Sequence, residues 1–229
     1  RDYEFVAPAS FEDKLLATVR LTDTTARPGE LQLLLIDAPQ FDQNGTVLPS
    51  AVENLTLNSS LRLTGGEDRQ LFVNGDHVYL TAEIVGSGIG DELLVFDRTS
   101  GLRLVSDLLP GLQSSEARDF VAVGDDVYFT ALASRIDNNT QQRVVRRELF
   151  VVDANNDVRA IRARQEVAIS PSAVNGTLFF GSQLNAGDPA QLFQFGTSQD
   201  GVAPTGAFEP VTGSRSEEHT SELQSHLNL

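Results

Sequence analysis

The densest cluster of potential ligand atoms in the chain is Asp153-Ala154-Asn155-Asn156-Asp157, which puts side-chain oxygens at alternate positions in the D-x-N-x-D manner of a calcium loop. The remainder of such a loop is missing. Val158 stands where a glycine makes the sharp bend, and Arg164 stands where a bidentate glutamate closes the shell. Asx residues also favour tight turns, because their side chains accept hydrogen bonds from nearby backbone amides, so the segment reads first as a turn, with calcium its weaker use. A Ser-His-Asp triad would have to use His77, since His219 and His226 lie in the last fifteen residues. His77 follows the Asn74-Gly75 pair and aligns with Asp126 further on, so it reads as a solvated turn residue. Paired carboxylates for glycoside hydrolysis need a defined separation across a cleft, which an acid-rich sequence cannot specify.

Other patterns are similarly bland. Gly86 to Gly90 (G-S-G-I-G) precedes a strand and no helix, so it is a flexible loop and no phosphate cradle. The S-x-D-x-G-x-T-W turn of sialidase-type propellers does not occur. Arg143 to Arg147 (R-V-V-R-R) is the one basic cluster and reads as a charged strand edge that discourages edge-to-edge pairing. Sequons at Asn44, Asn54, Asn138 and Asn175 are ordinary in a turn-rich chain. No residue is assigned to catalysis, to a cofactor or to a metal.

Composition narrows the field further. With 17 basic and 32 acidic residues among 229, the net charge is −15, and Lys14 is the only lysine. Such a field repels phosphate backbones and anionic membrane surfaces. The absence of cysteine excludes thiolate nucleophiles, Cys-ligated zinc and disulfides, and no apolar run reaches the roughly 18 residues of a spanning helix. The chain holds no methionine, so Arg1 is no initiator and the missing signal peptide carries no information.

The elements that would position these residues repeat. Glu67 to Ala82, Glu116 to Ala131 and, more loosely, Ile169 to Gly181 align, so that Tyr79, Tyr128 and Phe179 recur at spacings of 49 and 51 residues. Within each unit an Asn74-Gly75, Gly124-Asp125 or Asn175-Gly176 pair separates two apolar runs, the signature of a tight hairpin. A run rich in β-branched and aromatic residues follows, then a third strand at Glu92 to Asp97, Glu148 to Asp153 or Gln191 to Phe195, and a fourth at Arg103 to Ser106 or Val158 to Arg162. Sustained helical periodicity is absent, so the fold class is all-β. Four short antiparallel strands every fifty or so residues predict propeller blades, and the length allows roughly four, a partial β-propeller.

Glu92-Leu93-Leu94-Val95-Phe96-Asp97-Arg98-Thr99, Leu104 to Gly111 (L-V-S-D-L-L-P-G), Ser114-Ser115 and Val127 to Ala131 together resemble the bacterial E-L-W-x-x-D-G-T repeat, which continues with L-V-x-D-I-x-P-G, a serine-rich turn and L-Y-F-x-A. The copies are degenerate: Leu94 or Phe150 stands for the tryptophan, and Asp153-Ala154-Asn155 for the D-G-T turn. The resemblance implies a secreted or cell-surface, propeller-like bacterial protein without a defined activity.

Three segments are expected: residues 1–63, a divergent first blade or a small β-sandwich module; residues 64–214, the repeats; and residues 215–229, a non-native tail. Glu30 to Asp37 could copy the Glu-Leu strand, and Pro49 to Thr56 the turn and first strand that follow it. Arg215 to His226 (R-S-E-E-H-T-S-E-L-Q-S-H) resembles the in-frame translation of a short-read sequencing adapter, and this tail should add nothing to the core. Without it 16 basic and 29 acidic residues remain, so the acidity belongs to the body. The function expected is a non-enzymatic module presenting loops to a carbohydrate, protein or matrix partner, without nucleic acid or membrane insertion. The alternative is a fragment of a propeller-containing hydrolase or lyase whose catalytic residues lie elsewhere.

Overall fold

The alternation of side chains along a strand explains why apolar runs as long as Leu93 to Phe96 survive in this chain. A strand buried on both faces needs no polar positions, and every residue of Glu92–Asp97 is buried. The computed structural model describes residues 3–22, 29–56, 62–64, 71–136, 140–161, 167–182, 189, 191–196 and 209–210, and all their regular structure is β. The tail at 215–229 and Asn138 lie outside the described residues.

Strands β1 (Tyr3–Phe11), β2 (Lys14–Leu21) and β3 (Leu31–Ile36) run antiparallel in order. The short hairpin β4 (Gln40–Phe41) and β5 (Val47–Leu48) stands apart as its own two-stranded sheet. Strand β6 (Val52–Asn54) then returns to pair with β3, completing a first four-stranded meander. The segment expected to supply a turn and a first strand is thus the fourth strand of its own sheet. The connector β7 (Leu63–Thr64) pairs with both β3 and the coming β9, so the boundary expected at 63/64 falls inside a strand.

Each of the next three units is a simple antiparallel meander. The second holds β8 (Phe72–Asn74), β9 (His77–Ile84), β10 (Glu92–Asp97) and β11 (Gly101–Ser106), and β7 joins it to the first in one nine-stranded sheet. The third holds β12 (Arg118–Val123), β13 (Asp126–Ile136), β14 (Arg143–Val152) and β15 (Val158–Ile161). The fourth holds β16 (Val167–Val174), β17 (Thr177–Ser182), β18 (Gln191–Gly196) and β19 (Glu209–Pro210). Each opening hairpin has a two-residue loop: Asn74 pairs with His77, Val123 with Asp126 and Val174 with Thr177. Gly75 (φ 56°), Gly124 (φ 63°) and the Asn175-Gly176 pair (φ 50° and 74°) take the left-handed conformation that such loops demand.

Three apolar layers lie between consecutive meanders. Leu16, Leu33 and Leu35 of the first pack with Val78, Leu80, Leu94 and Phe96 of the second. The opposite face of the second, with Tyr79, Leu93 and Val95, packs with Val127, Phe129 and Phe150 of the third. The third in turn sets Tyr128, Leu149 and Val151 against Leu178, Phe180 and Phe193 of the fourth. Stacked rings continue across the second layer, Phe72 on Phe120 at 5.7 Å, Phe120 on Phe129 at 5.5 Å and Phe129 on Phe150 at 5.6 Å.

Tyr79, Tyr128 and Phe179 are third in β9, β13 and β17, opposite Val95, Val151 and Gln194. The first two are 2% and 0% exposed, whereas Phe179 is only half-buried. Tyr128→Ala is therefore expected to cost about 3–5 kcal/mol in a guanidinium titration, and Phe179→Ala clearly less. The Tyr128 hydroxyl is buried without a hydrogen-bond partner, and burial pushes its pKa up to about 12. Tyr128→Phe should accordingly match or exceed the parent, by up to about 1 kcal/mol.

Candidate polar cleft at the turn end

Meanders with buried faces can show polar chemistry only at their ends, and one end gathers the turns β1–β2, β8–β9, β10–β11, β12–β13 and β14–β15. Two of these turns use the same device, an aspartate that caps its own backbone. At the end of β10 the Asp97 Oδ1 accepts the N–H groups of Thr99 (2.9 Å) and Ser100 (2.6 Å), and its other oxygen pairs with Arg103. Beyond β14 the Asp153 Oδ1 accepts those of Asn155 (2.9 Å) and Asp157 (3.0 Å), while Asn156 N–H donates to the Asp153 carbonyl at 2.8 Å. The calcium-like segment is thus an Asx turn whose first carboxylate is committed to its own backbone. Turn N–H groups and the Arg103 guanidinium outweigh partial burial at Asp97 and hold its carboxyl below the usual range.

Cross-meander bonds join the turns. Arg98 donates to Glu12 of the first meander from Nε (2.9 Å) and Nη2 (2.7 Å), and to Glu53 from Nη1 (2.6 Å). Asn156 of the third meander reaches the second: its Nδ2 is 3.4 Å from His77 Nε2, and its Oδ1 accepts from the Tyr79 hydroxyl at 3.5 Å. The His77 and Tyr79 rings stack at 6.2 Å. His77 is consequently half-buried against an aromatic ring and an amide, and the solvated turn residue expected from sequence is corrected. Its position at the start of β9, two residues before Tyr79 on the same side of the strand, carried that signal.

Between these bonds lies a cleft of ≈ 510 Å³ lined by Glu12, Asp76 and His77, by Asp97 to Ser100 and Arg103, and by Asn156. Both guanidiniums are engaged by carboxylates, so the cleft offers no surplus positive charge to an anion. It does offer the His77 ring, the Asn156 amide and the Thr99 and Ser100 hydroxyls.

The basic cluster lies elsewhere, along the half of β14 beyond its pairing with β15. Arg147 there is 9% exposed and turns inward, donating to Glu116 Oε2 at 2.6 Å and to the Glu116 carbonyl at 3.0 Å, while Arg143 pairs with Ser134. A wholly exposed charged edge is therefore not what forms. Among the described residues no group of three or more His, Asp or Glu side chains is arranged to hold a metal ion.

No protein-family model and no curated protein matches the chain. A solved structure of a puromycin-hydrolysing peptidase from Mycobacterium tuberculosis is similar, with a TM-score of 0.54 and 10% identity over 92% of this chain. The match spans 32% of the peptidase, so this chain corresponds to about a third of its length. At that identity the likeness concerns the fold.

Replacing Asp97 by alanine strips the acceptor from two turn N–H groups and the partner from Arg103, and is expected to cost about 1–3 kcal/mol by chemical denaturation at neutral pH. Because the folded carboxyl titrates below its ordinary 3.8, this contribution is present above that pH and is lost as pH falls through the folded value. Parent and variant stabilities should therefore converge in acid.

Proposed function

We propose that the meanders are blades of a partial β-propeller, and that the protein is a secreted or cell-surface binding module whose ligand, a neutral carbohydrate, enters the turn-end cleft. Three observations support the propeller reading: the repeated four-stranded unit, the apolar layers between successive units, and the approach of their first strands, β1 to β8 and β12 to β16. The resemblance to the E-L-W-x-x-D-G-T repeat supports the compartment.

The single observation that carries the ligand class is the charge state of the cleft. Its arginines are neutralised by Glu12, Glu53 and Asp97, which leaves the Asp76 carboxylate, an amide, hydroxyls and a stacked imidazole lining it. Such a surface suits hydroxyl groups, which both donate and accept, better than phosphates or carboxylates. A carbohydrate also matches the net charge of −15, which would repel polyanions.

A second reading has one observation behind it, the similarity to a peptidase of which this chain covers 32%. There the blades would be the non-catalytic part of a hydrolase or lyase, and a longer product of the same gene would add a catalytic domain. Further repeats in that product would favour the binding module instead.

Titration calorimetry with cellohexaose, chitohexaose and xylohexaose tests the carbohydrate assignment. At least one should bind with a Kd of about 10⁻⁶ to 10⁻³ M, and His77→Ala or Asn156→Ala should weaken it about tenfold, roughly 1.4 kcal/mol. Binding that survives both substitutions would remove the cleft from the account.

A further inference from the structure

The third strands of the second, third and fourth meanders carry residues at one register position that solve one problem in different ways, at the start of β10 and β18 and in the middle of β14. Glu92 pairs with Ala82, Glu148 with Ala131 and Gln191 with Ser182, each three positions beyond the aligned Tyr79, Tyr128 and Phe179. Glu148 is neutralised by Arg135, whose Nε and Nη2 engage both carboxylate oxygens. Gln191 is uncharged from the outset. Ahead of β3, Glu30 meets Arg62 at 3.5 Å. Glu92 is 0% exposed and faces another carboxylate, Asp107.

Its surroundings offer little to an anion. Oε2 accepts one N–H, from Leu108 at 3.0 Å, while Oε1 is buried with no partner, as is Asp107 Oδ1. Strand β9 presents Ala82 opposite, with Glu83 beside it, and the neighbouring apolar layer contributes Leu80 and Leu94. The Ser115 hydroxyl, which donates to the Asp91 carbonyl at 3.2 Å, and the Leu109 N–H also favour the Glu92 anion, by less than burial disfavours it. Asp107 is the one charged group that acts appreciably on Glu92.

The segment from Asp107 to Ser115 straps the second meander to the third. Gly90 N–H donates to the Gly111 carbonyl (3.1 Å), Asp91 N–H to Ser114 Oγ (3.0 Å), Ser115 N–H to the Asp91 carbonyl (2.9 Å) and Leu132 N–H to the Ser115 carbonyl (2.6 Å). The strap lies so close that a Cβ on Gly90 would collide with the Gln113 backbone. Leu109, 1% exposed, anchors it.

We infer that Glu92 is a proton-operated latch: as the neutral acid it seals the strap between the second and third meanders, and its ionisation beside Asp107 loosens that strap. A proton does at this position what Arg135 does for Glu148 and what the amide does at Gln191. Burial, reinforced by Asp107, outweighs the hydrogen bonds from Leu108, Ser115 and Leu109 and pushes the Glu92 carboxyl up from 4.5 to about 7. An acid whose folded pKa is raised binds more protons folded than unfolded. The stability it confers is complete below about 4.5, declines as pH climbs toward 7 and is absent above.

Thermal melts and amide exchange on the parent, Glu92→Gln and Glu148→Gln, run between pH about 5 and pH about 8, test the latch. Glu92→Gln, the residue that the fourth meander already carries, should have a higher Tm than the parent at the alkaline end and lose that advantage at the acid end. Exchange at residues 108–115 should accelerate with pH beyond its intrinsic rise in the parent and not in Glu92→Gln. Glu148→Gln, which strands Arg135, should be less stable than the parent at every pH. Superimposable pH slopes for the parent and Glu92→Gln would overturn the latch. So would calcium chloride raising the alkaline Tm of the parent and not of Glu92→Gln, an outcome that assigns the carboxyl pair to a cation.

Discussion

Burial of both faces of the middle strands is the constraint from which the other features follow. Each of the second and third meanders lies between two neighbours, so β10 and the second half of β14 tolerate no charge between their ends. Polar residues are driven to the strand termini, into the turns and into the straps between meanders. What chemistry the molecule has is therefore found at two rims, one formed by hairpin turns and the other by connections such as Asp107 to Ser115. Loop residues held by a rigid scaffold are well suited to ligand contact.

That constraint also decides what could be read in the sequence. The placing of Tyr79, Tyr128 and Phe179 was legible because equivalent faces need equivalent residues: each is third in its strand and pairs with the strand that follows. The hairpins were legible because two-residue loops need positive φ, which Asn74-Gly75 and Asn175-Gly176 announce. Strands β4, β5 and β7 were not, since two residues establish no period. The role of β6 was misplaced for a related reason. A three-residue strand has no face of its own, and only its pairing with β3 distinguishes a fourth strand from a first.

The candidate site was legible in pieces and illegible as a whole. Asp153 to Asp157 has the composition of a turn, and the structure makes it one, with the Asp153 carboxylate capping its own backbone. Nothing local says that Asn156 will lie beside His77, because 79 residues separate them and the packing of two meanders brings them together. The same holds for Arg98, whose partners Glu12 and Glu53 lie 86 and 45 residues away. Sequence spacing reports what a segment does to itself, and a cleft between units is made by what each does to its neighbour.

The carboxylates at the two ends of β10 show how backbone geometry sets the sign of an electrostatic effect. Asp97 closes the strand where the chain reverses within a few residues, so consecutive N–H groups converge on a single oxygen and Arg103 of the returning strand reaches the other. Glu92 opens the same strand where the chain arrives from a loop and the strap passes alongside. The N–H groups of Leu108 and Leu109 and the Ser115 hydroxyl act on it, and the charge that acts on it, Asp107, has its own sign. Desolvation acts on both groups, yet two amides and a guanidinium outweigh it at Asp97, whereas two amides and a hydroxyl, opposed by the Asp107 carboxylate, do not at Glu92. A tight turn therefore makes an anion permanent, and a strap leaves it conditional on a proton. The rim made of straps is thus the one where, on the latch we infer, a change of pH acts on how the meanders are held together, while the turn at Asp97 keeps its shape.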